Sequence, residues 1–185
     1  MQKYLITSQE FYTDIPAVFR EKLLQQFEIH KPDFALFRDK ENPNYAKLAS
    51  DFIDVCHAFG SVKSFIHRDV ELALTLKATG VHLTSTQFGE IAQARANNLE
   101  VIISTHTHEE VLRAEKLGAN YVTYSPIFAS PNKGEPKGVE DLQVLLKKCA
   151  VKVFALGGIV NASQIESVAK SGAFGFASIR YFYTS

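Results

Sequence analysis

Residues Val151–Ile159 read Val-Lys-Val-Phe-Ala-Leu-Gly-Gly-Ile, a short apolar run that stops at two glycines. A run of this length, rich in β-branched and aromatic residues and bounded by glycine, predicts a buried strand. A helix is predicted to follow, with Asn161 or Ser163 at its start. A strand, a tight turn and a helix in succession form the unit from which a helix-covered parallel sheet is built.

The same alternation extends along the whole chain. Seven further apolar runs share this pattern: Tyr4–Thr7, Phe34–Phe37, Val62–Ile66, Gly80–Leu83, Val101–Ser104, Tyr121–Tyr124 and Gly175–Ile179. Successive runs lie roughly 20 to 30 residues apart, about the length of one strand plus one crossover helix. Eight such units predict an α/β fold of the (β/α)8 TIM barrel type, with an open doubly wound sheet as the alternative.

The predicted barrel is compact. The chain has 185 residues, whereas such barrels usually have at least about 200, so most loops must be short, and we expect one domain over residues 1–185. Only Arg180–Ser185 follow the last strand, so the final helix is expected to be truncated or missing. Such a gap would leave apolar surface near the first and last strands uncovered, which suggests a homodimer.

Charge and cysteine content exclude several classes of protein. Twenty Lys and Arg balance twenty Asp and Glu, which argues against a protein that binds nucleic acid or an anionic membrane surface. Cys56 and Cys149 lack the spacing of a zinc site and indicate no disulfide framework. No apolar run reaches the roughly 18 residues of a membrane span, and the N-terminus lacks a signal-peptide pattern, so we expect a cytoplasmic protein.

Polar side chains follow most of the predicted strands, and cations are the commonest among them. Because the working residues of such barrels lie just past the strand ends, these residues are candidates for a binding site: Arg38, Lys40, His67, Arg68, Thr84, Ser85, Ser104–His106, Ser130, Lys133 and Arg180. Several cations at one mouth of a neutral protein predict a small anionic ligand, most commonly a phosphate. The backbone N–H groups of Gly157 and Gly158 could approach that phosphate closely, although a tight turn alone would explain both glycines equally well.

Several of these residues also have a purely structural interpretation. In isolation, Arg38-Asp39-Lys40 would be a solvated loop with an internal ion pair. His67 is a candidate proton carrier, because the ordinary pKa of histidine lies near neutrality, or a structural imidazole bonded to a carbonyl. His82 lies inside a strand and is interpreted as a packed core residue. The segment His106–Glu110 has the spacing of a helix capping box, which accounts for its histidines.

An ordered set of motifs adds a resemblance to a known family. The motifs run in chain order over about residues 34–179: Arg38-Asp39-Lys40, Val70-Glu71-Leu72-Ala73-Leu74, Gly80-Val81-His82-Leu83, Ile103-Ser104-Thr105-His106-Thr107, Gly118-Ala119-Asn120-Tyr121-Val122, Ser125-Pro126-Ile127-Phe128 with Ser130 and Lys133, and Ala155-Leu156-Gly157-Gly158-Ile159. Each piece alone is weak evidence, but the ordered set resembles the thiamine phosphate synthase/TenI superfamily. The Pro-Ile-Phe motif with its downstream lysine is the most specific part.

The resemblance implies a phosphate-binding (β/α) barrel that acts in thiamine biosynthesis. Synthases of this superfamily join hydroxymethylpyrimidine diphosphate to a thiazole phosphate with loss of diphosphate, using Mg²⁺, and their TenI relatives include thiazole tautomerases. By this resemblance Arg38, Lys40 and Lys133 bind the diphosphate, and Ser104 lies near the pyrimidine ring. The thiazole phosphate would contact Ser130, Gly157, Gly158 and Ile179. Arg180 would either bind this phosphate or fill the pocket that holds it.

The sequence departs from the superfamily pattern where a metal would be held. Synthases place Asn-Asp after strand 3 and a further Asp after strand 4 as magnesium ligands, and the corresponding residues here are His67-Arg68 and Gln87. Because Mg²⁺ prefers oxygen ligands with carboxylate charge, we assign no metal ligand and expect Mg²⁺ only if synthase activity is retained. The catalytic His of the TenI tautomerases corresponds to Pro126 here.

The sequence therefore predicts a divergent member of this superfamily that binds a small phosphorylated thiazole or pyrimidine. It would couple the two, or carry out a TenI-like reaction on the thiazole phosphate, with His67, Lys133 and Ser104 in catalytic roles. Two alternatives stay open. One is a non-catalytic binder of phosphorylated ligands on the same barrel, and the other is a sugar-phosphate epimerase with His67 and Asp39 as metal ligands, for which no convincing further ligands are found.

Overall fold

The computed structural model describes residues 1–39 and 41–183, and it contains a closed barrel of eight parallel strands. The strands follow one another around the barrel in chain order, and β1 pairs with β8 to close it. They are β1 (Gln2–Ile6), β2 (Phe34–Phe37), β3 (Lys63–His67), β4 (Gly80–Leu83), β5 (Glu100–Thr105), β6 (Tyr121–Tyr124), β7 (Lys152–Leu156) and β8 (Gly175–Ser178). The predicted (β/α)8 TIM barrel is confirmed.

Helices connect the strands on the outside of the barrel. They are α1 (Gln9–Tyr12), α2 (Pro16–His30), α3 (Tyr45–Phe59), α4 (Val70–Thr75), α5 (Ile91–Ala96), α6 (His108–Lys116), α7 (Gly138–Leu146) and α8 (Ala162–Ser171), with 3₁₀ turns at Phe88–Glu90 and Arg180–Phe182. The side chains of Asp69, Thr107 and Asn161 each accept a backbone N–H at the start of α4, α6 and α8, which fixes where these helices begin. No helix in the described residues is long and apolar enough to cross a bilayer.

Side chains that point into the barrel form an aromatic core. Alternate residues of each strand face inward, and nine buried ones pack together: Tyr4, Ile6, Phe34, Leu36, Phe65, Ile102, Tyr121, Phe154 and Ala177. The ring of Phe154 is fully buried, and its centroid lies 5.1 Å from that of Tyr4 and 5.0 Å from that of Phe34. A second, larger core lies between the barrel wall and the helices. Above this filled interior, open space lies at the carboxyl ends of the strands.

The segment after β8 covers the barrel wall with aromatic side chains in place of a helix. Phe182 is fully buried and stacks on Phe176 of β8, with ring centroids 5.4 Å apart. Tyr183 packs against Phe11, and its hydroxyl accepts a hydrogen bond of 3.2 Å from Lys22. The expected truncation of the last helix is therefore confirmed. The expectation of an uncovered apolar flank beside β1 and β8 is wrong, because these aromatic residues cover it.

We expect Phe154→Ala to lower the free energy of unfolding by about 3–5 kcal/mol, because it removes a fully buried ring and leaves a cavity. Urea unfolding followed by circular dichroism measures this change. The matched control is Val144→Ala on α7, where the side chain is 46% exposed, and it should alter the free energy by less than about 0.5 kcal/mol. Equal, small effects in the two variants would contradict the assignment of Phe154 to the barrel core.

Candidate functional site

A cavity of about 800 Å³ lies at the carboxyl ends of the strands. This volume is in the range of small-molecule binding sites. The structure brings nine of the predicted site residues to its wall: Arg38, His67, Ser104, Ser130, Lys133, Gly157, Gly158, Ile179 and Arg180. The tenth, Lys40, lies outside the described residues. Residues that are scattered over more than 140 positions of the sequence thus share one cavity because the strands that carry them end at one rim.

Four cationic side chains line the cavity, and Glu10 is the one carboxylate beside them within residues 1–39 and 41–183. Arg38 is half-buried, whereas Arg68, Lys133 and Arg180 are exposed at the rim. None of the four forms a salt bridge with another described residue. The wall therefore carries an excess of positive charge, which favours an anionic ligand.

Arg38 is the innermost of these cations. Burial lowers the pKa of its guanidinium from the ordinary value, yet an arginine stays charged at neutral pH. Arg38 forms no salt bridge with Asp39, whose carboxylate accepts a hydrogen bond of 2.8 Å from Asn42 Nδ2, and the other cation of that predicted loop, Lys40, lies outside the described residues. A half-buried cation without a counter-ion is costly, and an anion bound in the cavity would relieve that cost.

Gly157 and Gly158 form a turn between β7 and α8 that requires glycine. Their φ angles are 100° and 69°, and a Cβ on Gly158 would lie 2.4 Å from the carbonyl oxygen of Ala129. The turn is fixed to the loop after β6, since the Phe128 N–H donates to the Gly157 carbonyl at 3.0 Å. The interpretation as a tight turn is therefore correct. The N–H groups of both glycines also donate to no acceptor in the described residues, so they are available beside the cavity.

The turn after β8 continues the same wall. Ser178 Oγ donates to the Ile159 carbonyl at 2.8 Å and accepts from the Tyr181 N–H at 3.2 Å. Ile179 and Arg180 follow directly, and Arg180 is exposed rather than folded into the cavity. The loops after β7 and β8 thus stand side by side, at the place where TIM barrels frequently bind phosphate.

The loop after β6 carries Ser130 and Lys133 over the cavity mouth. Both ends of the loop are anchored, since the Lys137 N–H donates to the Pro126 carbonyl at 2.9 Å and the Gly138 N–H donates to the Ile127 carbonyl at 3.0 Å. Residues 131–136 between these anchors are exposed. Lys133 therefore stands on an exposed loop whose two ends are fixed beside the cavity.

A buried chain of hydrogen-bonded side chains ends at the cavity. The Tyr4 hydroxyl lies 2.7 Å from His82 Nδ1, and His82 Nε2 lies 3.0 Å from Ser104 Oγ. Burial raises the pKa of the Tyr4 hydroxyl well above its usual value. Burial, together with the nearby His67 and Arg38, lowers the pKa of the His82 imidazole well below its usual value. At neutral pH His82 is therefore uncharged and Tyr4 keeps its proton.

The direction of these hydrogen bonds follows from the donors available. The Tyr4 O–H has no other acceptor in the described residues, and a buried hydroxyl proton without an acceptor costs about 1–3 kcal/mol, so it donates to Nδ1 of His82. His82 then carries its own proton on Nε2 and donates it to Ser104 Oγ. As a result, the Ser104 hydroxyl proton is free for an acceptor in the cavity.

The two inward-facing histidines lie side by side. The rings of His67 and His82 meet edge to face with centroids 6.3 Å apart, and the His67 side chain is 9% exposed on the cavity wall. The prediction that His82 is buried is confirmed. The interpretation of His82 as core packing alone missed its two polar partners, because Tyr4 lies 78 residues away in the chain.

Other cavity residues had a weaker signal in the sequence. The sequence analysis attributed His106 to the helix capping box. In the structure His106 also lines the cavity, and its Nδ1 lies 3.2 Å from the Ser125 carbonyl oxygen. Ser125 follows β6 directly, so its position after a strand was a usable signal. Glu10 lies in α1, several residues after the end of β1, so a search of the strand ends did not identify it.

The positions that hold magnesium ligands in related synthases carry no suitable donor set here. Arg68 is a cation, and the neighbouring Asp69 carboxylate accepts the Leu72 N–H at 2.8 Å. Gln87 Oε1 accepts the Thr84 N–H at 3.0 Å, and Gln87 Nε2 donates to the Arg68 carbonyl at 3.0 Å. In the described part of the chain no three His, Cys, Asp or Glu side chains are grouped so that they could hold a metal ion. These residues do not fit magnesium.

The sequence matches the thiamine monophosphate synthase family over residues 3–182. The chain belongs to this family. Its relatives include a putative thiamine-phosphate synthase 2 from Aquifex aeolicus, 38% identical over 120 residues, which are 63% of this chain and 64% of that protein. A thiamine-phosphate synthase from Thermoplasma acidophilum is 30% identical over 168 residues, which are 88% of this chain and 78% of that protein.

Solved structures agree with this family assignment. A thiamine phosphate pyrophosphorylase from Pyrococcus furiosus has a similar fold, with a TM-score of 0.82 and 26% sequence identity over 96% of this chain and 85% of that one. The family match and this structure confirm the resemblance drawn from the ordered motifs. The chain spans just under two thirds of the length of the Aquifex relative.

The proton positions on His82 can be measured. In nitrogen-detected NMR of the unliganded protein at neutral pH, we expect a single His82 ring proton, on Nε2, since burial lowers the His82 pKa well below the ordinary value. The unfolded chain takes up this proton below about pH 6.5 and the folded chain does not, so the free energy of unfolding falls as the pH falls through that range. The expected slope is up to about 1.4 kcal/mol per pH unit.

The matched variant is His82→Gln, whose amide can donate to Ser104 from the place of Nε2 but does not titrate. Urea unfolding at several pH values should show a smaller slope in the variant than in the parent. A His82 proton on Nδ1, or identical slopes in the two proteins, would contradict the assigned hydrogen-bond direction or the neutral state.

Proposed function

We propose that this chain couples hydroxymethylpyrimidine diphosphate to a thiazole phosphate, releasing diphosphate and forming thiamine phosphate. One observation carries the proposal. The chain belongs to the thiamine monophosphate synthase family, and the cavity at its strand ends is lined by four cations that form no salt bridge among the described residues. The N–H groups of Gly157 and Gly158 lie at the same cavity. Residues 1–185 act as one phosphate-binding barrel domain, and the partner is a small phosphorylated substrate.

Arg38 and Lys133 hold the diphosphate in this proposal. The bond between the pyrimidine methylene carbon and the diphosphate oxygen breaks, and both bonding electrons leave with the diphosphate. Cations fixed around the leaving group stabilise the negative charge that develops on it, more strongly in a site from which water is excluded. His67, on the cavity wall, is placed to give a proton to the departing diphosphate.

The thiazole phosphate is assigned to the wall made by the loops after β7 and β8. The N–H groups of Gly157 and Gly158 supply hydrogen bonds to its oxygens, and the Ser130 hydroxyl adds another. The turn at Ile179 and Arg180 supplies a guanidinium from the adjacent strand end. Both anionic ends of the substrate pair thus meet cations or hydrogen-bond donors on the cavity wall.

The two rings lie between the phosphate-binding regions. Ile6, Leu36 and Leu156 supply an apolar wall, and Ser104 offers the hydroxyl proton that its bond with His82 leaves free. A ring nitrogen of the pyrimidine is an acceptor of matching chemistry. Held in this way, the thiazole nitrogen donates its lone pair to the methylene carbon and forms the new C–N bond, so positioning supplies much of the rate increase.

A cytoplasmic location and a homodimer stay predictions of the sequence.

Synthase activity is tested directly with the purified full-length chain, both substrates and Mg²⁺, with thiamine phosphate detected by chromatography. We expect product that depends on both substrates. If no product forms while calorimetry shows that thiazole phosphate binds, the coupling reaction is excluded. A TenI-like reaction or a non-catalytic binder would then be the correct interpretation.

Lys133→Ala should weaken binding of hydroxymethylpyrimidine diphosphate by about tenfold or more, because a charge-assisted hydrogen bond contributes about 1.5–3 kcal/mol. Isothermal titration calorimetry measures the dissociation constant. Lys116→Ala is the control, since Lys116 is equally exposed but lies on α6 away from the cavity. Unchanged affinity in Lys133→Ala would remove this lysine from the diphosphate site.

A further inference from the structure

We infer that this chain binds the diphosphate group of its substrate without a divalent metal, and that the guanidinium of Arg68 serves in the metal's place together with Arg38 and Lys133. The inference rests on the proposed function, because it concerns how the same cavity neutralises a diphosphate. It starts from the side chains at the ends of β3 and β4, where the donor set does not suit a metal.

The carboxylates near these strand ends do not line the cavity. Asp69, Glu71 and Glu90 lie with Arg68 in a second, shallower pocket beside it. Asp69 accepts the Leu72 N–H at 2.8 Å and begins α4, and it does not line the cavity. Asp39 is 7% exposed and accepts a hydrogen bond from Asn42. Glu10 reaches the cavity from α1, which follows β1. In the barrel order β2 separates β1 from β3 and β4. Among the described residues the cavity itself therefore has a single carboxylate, Glu10, and no three His, Cys, Asp or Glu side chains are grouped to hold Mg²⁺.

Gln87 is also committed to a structural role. Its Oε1 accepts the Thr84 N–H at 3.0 Å, and its Nε2 donates to the Arg68 carbonyl at 3.0 Å and to Glu90 Oε1 at 3.1 Å. This side chain joins the ends of β3 and β4 to each other. Using its oxygen for a metal would break the bond to Thr84, and the neutral amide would add no charge to attract the ion.

Arg68 is held in place by its backbone, with its side chain on the cavity wall. The Arg68 N–H donates to the His82 carbonyl at 2.9 Å, and the Arg68 carbonyl accepts from Gln87. Its φ of 67° is a left-handed conformation that a non-glycine residue rarely adopts, and it directs the chain sharply from β3 into α4. The guanidinium has no carboxylate within salt-bridge distance among residues 1–39 and 41–183.

The charges agree with the chemistry of a metal-free diphosphate. A diphosphate carries several negative charges, and a planar guanidinium can bind two of its oxygens at once. Arg38 at the inner wall, Arg68 at the end of β3 and Lys133 on the loop after β6 approach the cavity from three directions. Their charge is permanent at neutral pH, so no ion needs to bind first.

The test uses the full-length chain and inorganic pyrophosphate, titrated by calorimetry in excess EDTA and again in excess Mg²⁺. We expect binding in EDTA with an affinity equal to or greater than that in Mg²⁺. Binding that appears only with Mg²⁺ would overturn the inference and leave the proposed function standing. An absence of binding in both conditions, with hydroxymethylpyrimidine diphosphate also inert, would overturn the proposed function as well.

A matched pair of variants identifies the residue. Arg68→Gln should weaken pyrophosphate binding in EDTA by about tenfold or more, whereas Arg68→Lys, which keeps the charge but not the two-oxygen geometry, should lose less. Arg95→Gln is the control, because Arg95 is exposed on α5 outside the cavity. This variant should bind pyrophosphate with the same affinity as the parent. Parent-like affinity in Arg68→Gln, with an unchanged circular dichroism spectrum, would overturn the role of Arg68.

Discussion

The eight strands run parallel in one closed ladder, and so their carboxyl ends meet at a single rim. Closure depends on the pairing of β1 with β8, which extends from Gln2 opposite Gly175 to Leu5 opposite Ser178. This ladder decides which strand ends are neighbours. Every argument about the cavity depends on it, because the cations, the glycine turn and the buried hydrogen-bonded chain come from different strands and share no local sequence.

The space inside the barrel determines which side chains can form the floor of the cavity. A Cβ on Gly175 would lie 2.6 Å from the ring of Phe154, and one on Gly80 would lie 2.7 Å from the ring of Phe65. The two glycines leave room for these rings, and the rings in turn fill the interior below the rim. The polar route through this apolar floor is the chain Tyr4–His82–Ser104, so the direction of its two hydrogen bonds determines what the floor offers to a ligand.

Much of the fold was predictable because each buried strand is an apolar run of a few residues between polar or glycine boundaries. The strand-end residues were predictable for the same reason, since knowing where a strand ends gives the position of the residue that follows it. The partner of His82 was not predictable, because the contact with Tyr4 depends on the register of strands 78 residues apart. The segment after β8 is too short for a helix, and only the structure shows that Phe182 covers this part of the barrel wall by stacking on Phe176.

Arginine and a metal site solve one electrostatic problem in opposite ways. A magnesium site needs carboxylates, and until the ion binds those carboxylates repel a diphosphate, so the order of binding matters. A guanidinium at the same strand end attracts the diphosphate at once and keeps its charge at any physiological pH. The two solutions exclude each other at one position, because a carboxylate placed beside Arg68 would pair with it and cancel its charge. The described carboxylates near this strand end lie outside the cavity, since Asp69 begins α4, Asp39 bonds Asn42, Glu90 bonds Gln87, and Glu71 lies with Asp69 and Glu90 in the neighbouring pocket. Their charge stabilises local structure, and the guanidinium is left without a competing partner on the side of the cavity.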